Sequence, residues 1–205
     1  MTSLIEIGKK YPTNKNDYGF LDIYEKYFKN LKDKKLNILE IGVDKGDSLR
    51  LWNEYFTNAN ICGLDIDKKD FSIDGVEIYQ GDQNDKSLLN EIAKKYGKFD
   101  IIIDDGSHLL SDQLFSLNYF YKYLVVGGYY IIEDYKFPNY FKHLNDVNDI
   151  KINELIKKIN NKETINSKLL SPETINDLLL NNKNIFEYKG NLDHSDIVFF
   201  EKTIS

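Results

Sequence analysis

Ile101-Ile102-Ile103-Asp104-Asp105-Gly106-Ser107-His108, with Ile131-Ile132-Glu133-Asp134 further on, is the stretch that decides the fold of this chain. In each part a run of β-branched residues, which favour strands, ends in carboxylates. The distance from Asp105 to Glu133 suits one strand–helix–strand crossover, for which ~30 residues are usual. Parallel strands joined in that way bring both acidic ends to one edge of a sheet, where ligands bind in such folds. Carboxylates that meet there beside a histidine make a hard-cation site with a base next to it. The bland alternative is two turns that happen to be acidic. The presence of both, each closing a strand, favours the site.

On either side of this stretch, strands and helices alternate. Leu36–Ile41 reads as a strand ending at Gly42, and residues 48–56 as a helix. Residues 61–64 form a strand ending at Asp65, and residues 76–79 one ending at Gly81-Asp82. Leu88, Leu89, Ile92 and Tyr96 mark one face of a helix over residues 86–96. A strand over 99–103, a helix over 112–123 and a strand over 129–132 follow. This pattern predicts a doubly wound, mostly parallel sheet, and the near-continuous apolar strands fit a sheet covered on both faces.

Before this core, residues 1–35 are polar and tyrosine-rich, with Ile23, Tyr27 and Phe28 at helical spacing. After it, residues 137–182 are rich in Lys and Asn but keep an apolar helical face at Ile152, Leu155, Ile156 and Ile159. Ser171-Pro172 reads as a helix start, with Ser171 as cap. Residues 184–188 and Asp196–Glu201, joined by a short polar connection, read as a hairpin. With no repeat and no linker, residues 1–205 are expected to form one domain.

The bulk properties bound the function. A chain of 205 residues with 41% hydrophobic content can bury one real core. A net charge of −6 argues against nucleic acid or an anionic membrane as the main partner. One cysteine, Cys62, excludes a disulfide framework and suggests a reducing, cytoplasmic setting. Met1-Thr2-Ser3-Leu4-Ile5-Glu6 is not expected to be a signal peptide. No apolar run approaches the ~18 residues of a membrane span.

The first strand carries a second signal. Glu40-Ile41-Gly42-Val43-Asp44-Lys45-Gly46 leaves that strand and enters a helix. Its glycines permit a tight turn and close backbone approach to a ligand. It is neither Gly-x-Gly-x-x-Gly nor a P-loop, so a dinucleotide is disfavoured. Glu40 can accept from the ammonium of an amino-acid moiety. Asp65, about 20 positions on, is placed to bind ribose hydroxyls. Asp82 and Gln83, ending the third strand, can bind an adenine amino group. Each acid alone reads equally well as a cap or Asx-turn. In order at successive strand ends, they point to a ligand that is part nucleoside and part amino acid.

With these residues in place, the chain resembles the class I S-adenosylmethionine-dependent methyltransferases from about Leu36 to the final hairpin, which is similar to that family's antiparallel sixth and seventh strands. Leu39–Val43 with Gly46–Leu49, then Gly63–Ile66, Asp104–His108 and Gly127–Asp134, resemble the metal-dependent sugar O-methyltransferases. That group includes enzymes of the mycinamicin and macrocin type, which methylate deoxysugars of macrolide antibiotics. Lys10–Lys15 with Tyr18-Gly19-Phe20 and Ile23-Tyr24-Glu25 is similar to the N-terminal segment of the group. The group often has Asp where Asn14 stands and His where Tyr18 stands.

The resemblance implies a Rossmann-like seven-stranded sheet with an antiparallel C-terminal hairpin, and a 1–35 segment that covers the site. It implies that Asp105, Glu133 and Asp134 hold Mg²⁺ and that His108 is the general base, with Asp105 also counted as catalytic. Glu40, Gly42, Gly46, Ser48, Asp65, Asp82, Gln83 and Asp104 fall on the cofactor side, Asp104 more as a turn former than a ligand. His143 and His194 are expected at the surface or in a structural turn. Tyr129, Tyr130, Tyr135 and Tyr140 are candidates for a sugar-stacking wall, although such residues are more often core or interface. The expected reaction is methyl transfer from S-adenosylmethionine to a sugar hydroxyl, on a 6-deoxyhexose such as rhamnose in a glycan or glycoside. Rival readings are a catechol-type O-methyltransferase and a non-catalytic nucleotide-binding module. A homodimer is among the assemblies the sequence allows.

Overall fold

The apolar runs become neighbours in one sheet of the computed structural model, which describes residues 2–181 and 184–203. Met1 and Asn182, the outer ends of two segments read above, lie outside the described residues. The strands are β1 (Leu36–Ile41), β2 (Ala59–Asp65), β3 (Val76–Gln80), β4 (Phe99–Asp104), β5 (Leu124–Glu133), β6 (Asn184–Lys189) and β7 (Asp196–Glu201). Their order is β3-β2-β1-β4-β5-β7-β6. β1 to β5 pair in parallel, and β7 runs antiparallel between β5 and β6. The strand order reverses between β1 and β4, which makes their carboxyl ends the natural ligand crevice.

Side-chain alternation splits the core into two layers. Leu39, Ile102, Tyr130 and Ile132 face one layer, with α5 (Lys86–Tyr96), α6 (Leu110–Phe120), α8 (Ile152–Asn161) and α9 (Pro172–Asn181) over it. Ile38, Ile101, Ile103 and Ile131 face the other, under α1 (Leu4–Gly8), α3 (Phe20–Phe28) and α4 (Asp47–Tyr55). These strand residues are fully buried, so each withdraws apolar surface worth ~1.5–3 kcal/mol from water. The short helices α2 (Asn14–Asp17) and α7 (Phe137–Tyr140) lie outside these two layers.

Local chemistry sets the element ends. Asp85 caps α5 by accepting from the Ser87 and Leu88 amides, and Gly97, at φ +75°, stops the helix. The Thr174 amide donates to Ser171 Oγ at 3.2 Å, the cap that the Ser-Pro pair predicts. β5 starts five residues earlier than its sequence suggests. Gly127-Gly128, outside the strand read from the sequence, forms part of β5, with Gly127 at φ +80° and an irregular register against β4 between Phe99 and Ile101. Among the described residues, no helix is long and apolar enough to cross a membrane.

Candidate active site

The carboxyl ends of β1 to β4 and the Pro12–Lys15 stretch enclose a cavity of about 870 Å³. Two halves meet in it. The first is built by the loop after β1. Gly42 has φ +88°, and a Cβ there would lie 2.0 Å from the Asp105 carbonyl oxygen, so only glycine lets this loop touch the loop after β4. The Asp105 amide donates to the Ile41 carbonyl at 2.8 Å, closing the same contact. Gly46, at φ +78°, opens α4.

Asp65 organises this half. Its Oδ2 accepts from the Val43 and Asp44 amides at 2.8 and 3.0 Å and pairs with Lys69 at 2.9 Å, while Oδ1 accepts from the Asp67 amide at 2.9 Å. Burial works against its charge, but Lys69 and the three amides prevail and hold its carboxyl below the usual range. Asp67 is exposed. Gln83 is buried, donating to Ser116 Oγ at 2.9 Å and accepting from the Ser107 amide at 3.4 Å. Asp82 is exposed on the same wall.

The second half lies at the ends of β4 and β5. One ligand atom each from Asp105, His108 and Asp134 lie within 4.8 Å of one another, as in a cation site. Asp134 Oδ1 is buried without a hydrogen-bond partner. Burial, and then the charge of Asp105, pushes the Asp134 carboxyl up to about 8. His108 and Asp134 both have positive φ, +59° and +52°, a sparsely populated conformation for non-glycine residues that tends to cluster at functional sites. His108 Nε2 stands 4.0 Å from Asp105 Oδ1. Burial pulls its imidazole below the ordinary range, against the opposing pull of Asp105. The ring of Phe137 lies 5.0 Å from that of His108.

Glu133 stands apart from this trio. Its Oε1 accepts from Tyr24 Oη at 2.5 Å and from Lys15 Nζ at 2.8 Å. Lys15, only 1% exposed, also donates to Asp105 Oδ2 at 2.7 Å and lies 3.5 Å from Glu40 Oε1. Burial opposes its charge, but Asp105, Glu133 and Glu40 outweigh burial and hold the ammonium above the usual lysine range.

Of the residues singled out in the sequence, Gly42, Ser48, Asp65, Asp82, Gln83, Asp105 and His108 line the cavity. Glu40 and Asp104 stand behind its wall. Glu40 accepts from Ser48 Oγ at 2.9 Å, and its Oε1 has no hydrogen-bond partner. Asp104 faces Tyr130 Oη at 3.4 Å, and burial pushes its carboxyl up to about 8. Glu133 and Asp134 are buried beside the cavity's acidic end.

Of the two readings of the 129–140 tyrosines, the packing favours core over a stacking wall. Tyr130 and Tyr135 are core residues, and Tyr129 packs on Tyr27 at 5.4 Å. Tyr140 is exposed, but it donates to Asp196. The rings nearest His108 come instead from Phe137 and, 5.2 Å behind it, Phe141. His143 is exposed, and His194 packs on Tyr140 in the closing turn. Lys15 and Tyr24 fall in the N-terminal stretches that carry the resemblance, but the sequence assigns neither a role at the site. Ile66, 66% exposed, lines the cavity beside Asp65 and offers it an apolar surface.

No protein-family model matches the chain. It is 38% identical over 143 residues to the mycinamicin VI 2''-O-methyltransferase of Micromonospora griseorubida, covering 64% of this chain and 35% of that protein. It is 36% identical over 141 residues to the demethylmacrocin O-methyltransferase of Streptomyces fradiae, covering 64% of this chain and 36% of that protein. Among solved structures, the MycE methyltransferase from the mycinamycin biosynthetic pathway, in complex with Mg and SAH, superposes with a TM-score of 0.79. The identity there is 29%, over 98% of this chain and 55% of that chain. The complex that also holds mycinamycin VI gives a TM-score of 0.80 at 29% identity, over 98% of this chain and 54% of that chain. The chain thus spans about a third of the length of these curated relatives and about half of the MycE chain. Its sheet order and antiparallel last strands are those of the class I methyltransferase fold, and its similarity is to the sugar O-methyltransferases of that class.

Proposed function

We propose that this chain carries the catalytic unit of an S-adenosylmethionine- and Mg²⁺-dependent O-methyltransferase acting on a sugar hydroxyl, with a 6-deoxyhexose of a glycoside or glycan as acceptor. The observation that carries the reading is the meeting of Asp105, His108 and Asp134 within 4.8 Å, next to the cavity that Gly42 and Asp65 shape. The two carboxylates of that trio fit a hard divalent cation: they offer oxygen ligands with no cysteine nearby, and Asp134 Oδ1 is buried and unpartnered. The cofactor half fits too, with a glycine-permitted cradle and a carboxylate held ionised at the ribose position.

In this reading Asp105, Glu133 and Asp134 hold the cation, and Asp65, Asp82, Gln83 and the 42–48 loop hold the nucleoside donor, with Glu40 supporting that loop through Ser48. When bound, the donor supplies an activated methyl group and the cation polarises and orients the acceptor hydroxyl. His108 is kept neutral near pH 7, so Nε2 can take the hydroxyl proton, a contribution of ~10²–10⁴-fold. Methyl transfer is an in-line displacement that depends on alignment. The Gly42–Asp105 contact supplies rigidity by locking the donor loop to the base-bearing loop. Phe137 and the 12–15 stretch flank the acceptor side, which makes residues 1–35 the cover of a single catalytic domain. The relatives carry "O-methyltransferase" in their names with rhamnosyl, olivosyl and mycinamicin acceptors, which supports a deoxysugar over a catechol. The acidic surface and the buried Cys62 thiol suit a cytoplasmic protein that binds neither nucleic acid nor membrane.

The test is a methyl-transfer screen over rhamnosyl and other deoxyhexosyl glycosides, nucleotide sugars and catechols, with and without Mg²⁺. Turnover on a deoxyhexoside supports the reading. Turnover on catechols alone, or cofactor binding without turnover on any acceptor, refutes it.

A further inference from the structure

Lys15 is a nearly fully buried lysine that belongs to neither half-site. It sits on α2, a helix of four residues with Thr13 as N-cap. The turn that carries it is pinned: Asn16 Nδ2 donates to the carbonyls of Gly8, Tyr11 and Thr13 at 2.9, 3.2 and 3.3 Å. From this anchored position the ammonium reaches acids from three different strand ends, Glu40 on β1, Asp105 just after β4 and Glu133 on β5. It takes one oxygen of each metal-side acid, Asp105 Oδ2 and Glu133 Oε1. Tyr24 Oη holds the same Glu133 oxygen. The other Asp105 oxygen, Oδ1, is the one that faces His108.

We propose that Lys15 is a positioning residue for the metal centre: its ammonium fixes Asp105 and Glu133 by one oxygen each, so that their second oxygens are presented to a divalent cation together with Asp134. This rests on the metal reading of those three acids. It extends that reading by giving the N-terminal segment a task. The segment sets the orientation of the metal carboxylates and, through Glu40, ties them to the donor loop.

The proposal has a sign that separates it from simple charge repulsion. Removing a positive charge beside a divalent cation should tighten metal binding if repulsion were its main effect. Loss of orientation should weaken it, as partners that orient metal ligands typically account for ~10–100-fold in affinity. The experiment is calorimetric titration of the whole protein with MgCl₂, comparing wild type, Lys15→Met and Lys15→Arg, with circular dichroism as the check on folding. We expect Lys15→Met to bind Mg²⁺ about tenfold or more weakly, and Lys15→Arg to recover part of the loss. Unchanged or tighter binding by folded Lys15→Met overturns the proposal.

A measurement on wild type keeps the test open if Lys15→Met does not fold. The amides of residues 13–19 should exchange with deuterium no faster with Mg²⁺ than without it. Faster exchange would mean that the cation expels the ammonium, and overturns the proposal. Wild type that takes up no Mg²⁺ overturns the metal reading and this proposal with it. Wild-type binding that Lys15→Met leaves unaltered overturns this proposal alone.

Discussion

Replacing Asp65 with alanine tests how the donor half is built. The carboxylate accepts from three backbone amides, those of Val43, Asp44 and Asp67, and pairs with Lys69. Hydrogen bonds to a charged group are worth ~1.5–3 kcal/mol each, but water can reach much of this loop and replace part of them. The net loss of stability is therefore set at ~1–3 kcal/mol. For a chain of this size, each kcal/mol lowers Tm by ~2–4 °C, which gives a drop of ~2–12 °C in a thermal melt. The effect on the cofactor is separate. A ribose hydroxyl that loses a charged acceptor gives up ~1.5–3 kcal/mol, so the Kd for S-adenosylhomocysteine should rise roughly ten- to a hundredfold. Asp67 is exposed and meets Asp65 through its backbone amide, so Asp67→Ala should change Kd by less than about threefold. Isothermal titration of both variants decides the matter. An Asp67→Ala effect larger than that of Asp65→Ala, or an Asp65→Ala Kd close to wild type, would show that the ribose is held elsewhere.

Three further outcomes are expected. His108→Ala should lower kcat by ~10²–10⁴-fold while leaving Mg²⁺ affinity near wild type; a parallel loss of Mg²⁺ binding would make His108 a metal ligand instead of the base. Because burial holds the His108 imidazole low and the neutral form is the base, kcat should rise with pH below the ordinary imidazole range and be flat above about 7; a rate that falls on going from pH 5 to 7 would contradict this. Asp134, pushed up to about 8 in the metal-free protein, binds protons more tightly folded than unfolded, so metal-free stability should decline as pH rises from about 4 to 8. Mg²⁺ replaces that proton, so the gain in Tm from saturating Mg²⁺ should grow over this interval, and a gain that shrinks with pH would refute the assignment.

How much of this was legible in the sequence depends on where each contact originates. The strand cores were legible because Ile101–Ile103 and Ile131-Ile132 are apolar runs, each ending in acids. Their alternation assigns Ile101 and Ile103 to one layer and Ile102 to the other. The acids that close the strands could be placed at one edge for the same reason. Which of them face the cavity could not, because that follows from strand pleat and loop geometry. Glu40 and Asp104 are the examples, near the cavity in sequence but turned behind its wall. Lys15 was not legible as a site residue. A lysine in a polar turn reads as solvated, and its burial depends on α2 docking over strand ends that lie far along the chain. Tyr24 lies on a helix face whose apolar spacing signals packing on Trp52 and Phe28, with no sign that its hydroxyl reaches Glu133. The tyrosines of 129–140 were open to two readings, since their ring chemistry suits sugar stacking as well as packing; Tyr130 belongs to a central strand and fills the core.

The central claim is that the acids ending β4 and β5 hold a cation that makes a sugar hydroxyl reactive toward the donor bound at β1 and β2. Its most direct test is S-adenosylhomocysteine release with a deoxyhexosyl acceptor, measured first in excess EDTA and then after Mg²⁺ is restored. No release above the acceptor-free background is expected with EDTA, full recovery with Mg²⁺, and no recovery in Asp134→Asn. Undiminished release in EDTA, or Mg²⁺-driven recovery in Asp134→Asn equal to wild type, would contradict it.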